Sequence, residues 1–279
     1  MRMTAPLAAV AATLLLAGCA PEAAPPVTTP TCSKDTLQTM TAGKFTFATD
    51  EPVYQPWYLD NDPSNGKGFE SAVAYAVAEY LGYARTDVVW NRVPFNAAIQ
   101  PGKKNFDANL TEFSITEERR QAVDFSAPYY EVAQAVVTVG SSPAVDVKSV
   151  AELRKVKLGA QVGTTSYEAA VGIAPEEEVA VYNTNDEAKA ALTAGQIDAL
   201  VLDLPTAFYV TSAELTDGSI VGQLARGRGR PEQFGIVLDK GSPLTQCVSS
   251  AVEALRANGI LQKLEQEWLA SPSTAPQLR

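Results

Sequence analysis

Short runs with strand periodicity alternate with stretches of helical periodicity through most of this chain, and that alternation limits the possible folds more than any other feature. Strand, helix and strand in succession is the pattern of α/β architectures with mostly parallel sheets. Residues 45–49 alternate (Phe45, Phe47, Thr49) and read as a strand ending at Asp50. The loop 51–65 carries Tyr54, Pro56 and Trp57 and ends in the Asp60-Asn61-Asp62-Pro63 turn. Apolar positions 69, 72, 73, 76, 77, 80 and 81 then give one face of a helix closed by Gly82, a helix assigned to packing alone. Residues 88–93 predict a second strand. The β-branched run 132–139 predicts a buried connecting strand, and strands at 157–162 and 179–183 alternate with helices at 150–156 and 186–193. Two helices, 244–257 and 260–269, close the chain, with Leu261, Leu264 and Trp268 on one face of the second.

The 279 residues are enough for one or two full cores. A net charge of −10 argues against nucleic acid and against an anionic membrane surface as partners. The chain has no histidine, which excludes Ser-His-Asp and Cys-His catalysis and every His-ligated metal site. Three cysteines cannot build a four-thiolate zinc site, so no metal and no cofactor is expected. Residues 1–18 read as an export signal: Arg2, an apolar run at 7–16 too short to span a bilayer, then small residues. Leu16-Ala17-Gly18-Cys19 resembles the bacterial lipobox, which implies that Cys19 is lipidated; the alternative is an ordinary signal with an incidental cysteine. Residues 19–40 follow as lipidated cysteine and tether, rich in Pro, Ala and Thr over 20–31. The expectation is an extracytoplasmic protein held at the cell membrane by a lipid.

The densest chemistry lies in residues 106–131, FDANLTEFSITEERRQAVDFSAPYYE. Ser114-Ile115-Thr116-Glu117-Glu118-Arg119 reads as a helix start, with a hydroxyl cap, acids at the positive end of the dipole, and Arg119 about one turn inside. An arginine fork beside free amides suits a carboxylate; a surface capping box with a solvated arginine is the plain alternative. Asp107, Ser114 to Thr116, Glu118, Arg119 and the Val123-Asp124-Phe125-Ser126…Pro128-Tyr129-Tyr130 segment together resemble the signature of the extracytoplasmic solute-binding proteins of polar amino-acid ABC importers. The likeness runs from about residue 45 to 269. It departs at Glu112, where many relatives carry glycine.

That resemblance implies a two-lobed periplasmic-binding-protein fold with two hinge crossover strands. Lobe 1 would hold residues 41–131 and 234–279, and lobe 2 residues 132–233. The implied ligand is an amino acid, passed to an ABC permease by a monomer. Arg119, Ser114 and Thr116, with the Thr164-Thr165 amides of the second lobe, would hold its carboxylate, and Gln161 is a further ligand-binding candidate. Asp203, the last residue of Gly195-Gln196-Ile197-Asp198-Ala199…Asp203, would take the ammonium, although an Asp before Leu204-Pro205 is also a plausible helix cap. Asp50 would reach an amine, and Tyr54, Trp57 and Phe95 would wall the side chain; for Phe95 core packing weighs equally. Glu112 adds an acceptor for a cationic side chain such as that of arginine, lysine or ornithine, or else pairs with Arg119 or points outward. Cys32 and Cys247 remain, either as a disulfide within lobe 1 or as two buried thiols. The basic stretch 225–230 reads as solvated charge. Two other functions stay open: a sensing lipoprotein that signals to a receptor, and an exported cyclohexadienyl dehydratase-like enzyme using a cleft carboxylate.

Overall fold

The computed structural model describes residues 32–224, 231–269 and 275–278. The export segment, Cys19, the tether as far as residue 31 and the basic loop 225–230 lie outside the described residues. The first part of the chain forms β1 (Phe45–Thr49), α1 (Phe69–Tyr80), β2 (Val88–Arg92), α2 (Phe95–Ala98), β3 (Ala108–Asn109), α3 (Arg119–Ala122) and β4 (Val123–Val132). Next come β5 (Gln134–Val139), α4 (Val150–Leu153), β6 (Leu158–Gln161), α5 (Thr165–Gly172), β7 (Ala180–Tyr182), α6 (Asn185–Thr193), β8 (Ala199–Asp203), α7 (Leu204–Tyr209) and β9 (Gly218–Gln223). The chain then returns through β10 (Glu232–Asp239) to α8 (Thr245–Ala257) and α9 (Ile260–Trp268).

Two five-stranded sheets result, ordered β2-β1-β3-β10-β4 and β7-β6-β8-β5-β9. In the first, β1 runs parallel to β2 and β3; in the second, β6 runs parallel to β7 and β8. These are the strand–helix–strand units that the periodicity predicts. Both sheets are nonetheless mixed, because β10 lies antiparallel to β3 and β4, and β5 antiparallel to β8 and β9. The expected connecting strand over 132–139 is two strands, since β4 ends at Val132 in one sheet and β5 starts at Gln134 in the other. The return runs beside it: Glu232 pairs with Val132, and the Leu224 N–H donates to the Gln134 carbonyl at 2.9 Å. Two lobes joined by two crossovers follow from this path.

Each sheet is covered on both faces, so central strands read as unbroken apolar runs; all of β1 is buried. Strand parity still decides which side chain goes where. In β8, Leu200 and Leu202 join one core with Leu192 and Ile197, while Ala199 and Val201 join another with Leu153, Leu158 and Ala170. In the first lobe Phe45, Phe47, Trp57, Tyr58, Phe69 and Phe234 pack with α8, and Phe95, Phe106, Phe113 and Phe125 fill the opposite face.

Two expectations change. Helix α1 buries Glu70, Val73, Ala74, Val77 and Ala78 rather than the 72-76-80 side, and Tyr80 is exposed. Its alanines lie on both faces and so mark neither. The chain end, expected in lobe 1, turns back: Gln277 bridges Gln223 at the edge of β9, and Leu278 is buried in the core around Leu158 and Val201. Covering the open edge of β9 and burying Leu278 together favour that path.

Cys32 and Cys247 are joined in a disulfide, with Cys247 on α8 in the aromatic core of the first lobe. It spans 215 residues of sequence, a long loop to leave open in the unfolded chain. Replacing both cysteines by serine is expected to cost about 2–5 kcal/mol, read as a lower urea midpoint; an unchanged midpoint would show that the bridge adds nothing to folding.

Candidate functional site

The parallel strands of both lobes end at a common cleft, the position at which open α/β sheets bind ligands. Asp50 follows β1, Phe95 opens α2 after β2, and Thr111 and Glu112 follow β3. From the second lobe come Gln161 at the end of β6, Asn185 after β7 and Asp203 at the end of β8. The cleft holds about 560 Å3 of empty space, open solvent at its mouth included.

Asp50, Tyr54, Phe95, Glu112, Gln161, Thr164, Thr165 and Asp203 all line this cleft, so residues from 50 to 203 meet as expected. Phe95 does both things weighed for it: it faces the cleft and stacks on Phe113 with centroids 4.7 Å apart. Thr164 caps α5, accepting the Tyr167 N–H at 3.1 Å while its own hydroxyl donates to the Gln161 carbonyl at 2.7 Å. Thr165 and Ser166 therefore present the first amides of that helix, which have no partner within it.

Trp57, Ser114, Thr116 and Arg119 do not line the cleft. Trp57 is fully buried against Phe69, Tyr130 and Phe234, and its Nε1–H donates to Thr206 Oγ1 in the second lobe at 2.8 Å. A large apolar ring gains more from that core than from the cleft wall. The Ser114 hydroxyl donates to Glu232 Oε1 at 2.6 Å. Thr116 Oγ1 accepts the Arg119 N–H at 3.1 Å, so Thr116 caps a one-turn helix in which Arg119 is the first residue rather than one turn inside. Arg119 is buried behind Phe95, its guanidinium 5.5 Å from that ring, and donates through Nη1 to the Ser114 carbonyl at 2.7 Å and through Nη2 to the Gly163 carbonyl at 2.9 Å. It ties the two lobes together through backbone, and it does not pair with Glu112.

Glu112 is the unusual residue. Its φ of 51° is left-handed, the conformation that suits glycine, and costs a non-glycine residue about 1 kcal/mol. Its N–H is fixed at 2.7 Å by Oε1 of Glu70, which also accepts the Tyr129 hydroxyl. Glu70 sits on the buried face of α1 with no exposure, and its Oε2 has no hydrogen-bond partner among the described residues. Expecting only packing from α1 missed this acid. The signal was available, because Glu70 stands three, four and seven residues from Val73, Ala74 and Val77, on the apolar stripe itself. Gln134 and Glu232 were also missed. Gln134 donates to Asp203 Oδ1 at 2.7 Å and accepts the Ser166 hydroxyl at 2.7 Å. Thr111, Ser166, Asn185 and Thr206 complete the polar lining.

Acids dominate the electrostatics. Burial, and then the nearby Glu70, Asp203 and Asp50, push the Glu112 carboxyl well above the usual range. Burial and Glu232 do the same to Asp203, against the opposing Gln134 bond and Arg119. Burial alone raises Glu70, to about 7, although the bonds from Tyr129 and the Glu112 amide oppose it.

Residues 45–271 match the model of the bacterial extracellular solute-binding proteins, family 3. The chain belongs to this family. Among its relatives is the L-arginine-binding protein of Pseudomonas aeruginosa, 30% identical over 239 residues, which cover 81% of this chain and 90% of that one. The ABC transporter glutamine-binding protein GlnH of Bacillus subtilis is 28% identical over 267 residues, 92% and 93% of the two chains. Of solved structures, an ancestral arginine-binding protein bound to arginine superposes with a TM-score of 0.68 at 30% identity, covering 82% of this solute-binding protein and all but 1% of its own chain (99%).

The raised acids give the ligand-free solute-binding protein a defined pH dependence. Their unfolded-state values lie near 4–5, so between about pH 4.5 and 7 the folded state binds more protons than the unfolded state and stability falls as pH rises. Unfolding of the ligand-free protein is expected to become easier from pH 5 to pH 7 by about 1 kcal/mol per pH unit for each such proton, and Glu112→Gln should flatten that slope. A stability that rises over the same interval in urea titrations would contradict it.

Proposed function

We propose that this solute-binding protein binds an L-amino acid with a cationic side chain, of the arginine, lysine or ornithine type, and delivers it to an ABC permease. One observation carries the reading: Asp50, Glu112 and Asp203 line the cleft, and among the described residues no lysine or arginine does. Three half-buried carboxyls gathered in one cleft are best matched by a cation facing them. The arginine-binding relatives support the same chemistry.

In this reading Asp203 meets the α-ammonium, and Glu112 with Asp50 faces the side-chain cation. Tyr54 and Phe95 wall the aliphatic stem. The carboxylate goes to the Thr165 and Ser166 amides at the start of α5, and Arg119 joins by exchanging the Gly163 carbonyl for it. Contacts from both lobes favour the state in which the lobes are together, which the permease would read. Lipidation of Cys19 would keep the monomer at the membrane, the tether giving it reach.

A thermal-shift screen of residues 20–279 against the common amino acids tests this. Arginine, lysine or ornithine at about 100 times its Kd should add about 2.7 kcal/mol of stability, and glutamine and glutamate less. Asp203→Asn should weaken the best ligand by about 2–5 kcal/mol in calorimetry. A largest shift from an acidic or neutral amino acid, with the cationic ones inert, would overturn the assignment.

A further inference from the structure

Glu70 lies outside the cleft lining, yet its carboxylate holds the backbone amide of Glu112, which lines the cleft. Its Oε1 receives the Glu112 amide and the Tyr129 hydroxyl, and its Oε2 is buried and unpartnered among the described residues. The groups facing this pair come from every element around it. Asp50 follows β1, Tyr58 and Tyr54 stand in the loop after it, Tyr129 is on β4 and Asp203 ends β8. Glu232, at the start of β10, stands against Asp203 and is taken up by Ser114 and Gln134. The two arginines of the neighbourhood are occupied with backbone: Arg119 with the Ser114 and Gly163 carbonyls, Arg92 with the Asp50 and Asn61 carbonyls. Among the described residues no cation therefore neutralises Glu70 and Glu112. With the Glu70 carboxyl held against the Glu112 amide and no facing cation among the described residues, ionising both acids at once is disfavoured.

We propose that Glu70 is a specificity-determining residue of this cleft: with Glu112 it forms an acid pair that carries one proton in the ligand-free protein and releases it to solvent when the cationic end of a ligand side chain binds. This rests on the cationic-ligand reading above and deepens it. The atoms balance simply: the pair loses one proton and one unit of positive charge, the ligand cation supplies that charge, and no covalent bond of the ligand changes. Selection follows from the same exchange. A cation gains a full carboxylate partner in place of the proton. A neutral side chain such as that of glutamine leaves the proton where it was and gains only a hydrogen bond. Glu70 never touches the ligand in this scheme; it makes the Glu112 site neutral when unliganded, which keeps a second buried charge from being stranded beside Asp50 and Asp203.

The sign of the linkage is fixed. While the pair holds its proton the ligand must displace it, so affinity for a cationic ligand rises with pH by up to about tenfold per unit and levels off once the pair has lost it. Calorimetry with L-arginine, L-lysine and L-ornithine at pH 6, in phosphate and in a buffer of large ionisation enthalpy, measures the protons exchanged. About one proton released per ligand in the wild type, and close to none in Glu70→Gln and Glu112→Gln, is the expected result. Glu70→Gln keeps an acceptor for the Glu112 amide, so it should still fold and bind; its melting temperature without ligand serves as the check on folding. Binding with no proton release in the wild type would overturn the shared proton while leaving the cationic reading intact. Release that persists in Glu70→Gln would remove Glu70 from the pair. No binding of any of the three ligands between pH 6 and 8 would overturn the cationic reading, and this proposal with it.

Discussion

The site depends on the two places where the chain passes between sheets. Gln134 is the first residue beyond the outgoing crossover and Glu232 the first strand residue of the return, and their side chains meet, with Gln134 Nε2 3.2 Å from Glu232 Oε2. From that point bonds reach both walls. Gln134 holds Asp203 and Ser166 of the second lobe, and Glu232 takes the Ser114 hydroxyl of the first, which is itself 3.2 Å from Thr165 Oγ1. The cleft-lining Asp203 is thus held by Gln134, its paired neighbour in the same sheet, which in turn reaches the return crossover at Glu232.

Around this frame the protein accepts an unfavourable arrangement of charge. Carboxyls at 50, 112 and 203 share one cleft, with Glu70 and Glu232 behind them, and the nearest arginines are committed to carbonyl oxygens. Desolvation favours the neutral forms of Asp50, Glu70, Glu112 and Asp203, so the unliganded site keeps protons that a solvated cluster would lose. The left-handed backbone at Glu112 adds a small strain to the same place. Energy stored in a binding site in this way is returned only when a complementary charge arrives, which makes the electrostatic cost of the unliganded state a source of discrimination between ligands.

How much of this could be read from the residues differs by element. The parallel strands and their helices were legible because buried strands and one-faced helices leave strong periodic signals, as in 45–49 and 260–268. Asp50, Phe95 and Asp203 were legible as cleft-lining residues because strand ends open onto the cleft in this architecture, and its motifs mark those ends. The 132–139 run hid its break at Ala133, since both halves are equally apolar. Trp57 was misplaced because aromatic residues in a loop after a strand serve a cleft wall and a core equally well, and only packing against Phe69 and Phe234 separates the two. Glu70 was overlooked for the opposite reason: an acid near the start of a helix looks like an ordinary dipole partner, and its burial depends on Tyr129, 59 residues away. The return of the chain end to β9 has no local signal at all.

Arg119 shows how closure and binding compete for the same groups. Its Nη2 bond to the Gly163 carbonyl joins the lobes without any ligand, and Gly163 can approach because it has no side chain: a Cβ there would come within 2.2 Å of Asn96 Oδ1. The φ of 74° at Gly163 adds a second reason for glycine. In the proposed binding mode a ligand carboxylate taking Arg119 Nη2 would exchange this inter-lobe bond for one through the α5 amides, so the net bias toward closure would be the difference between the two. The lobes also meet at Trp57–Thr206 and at Ser114–Thr165, contacts that this exchange does not use.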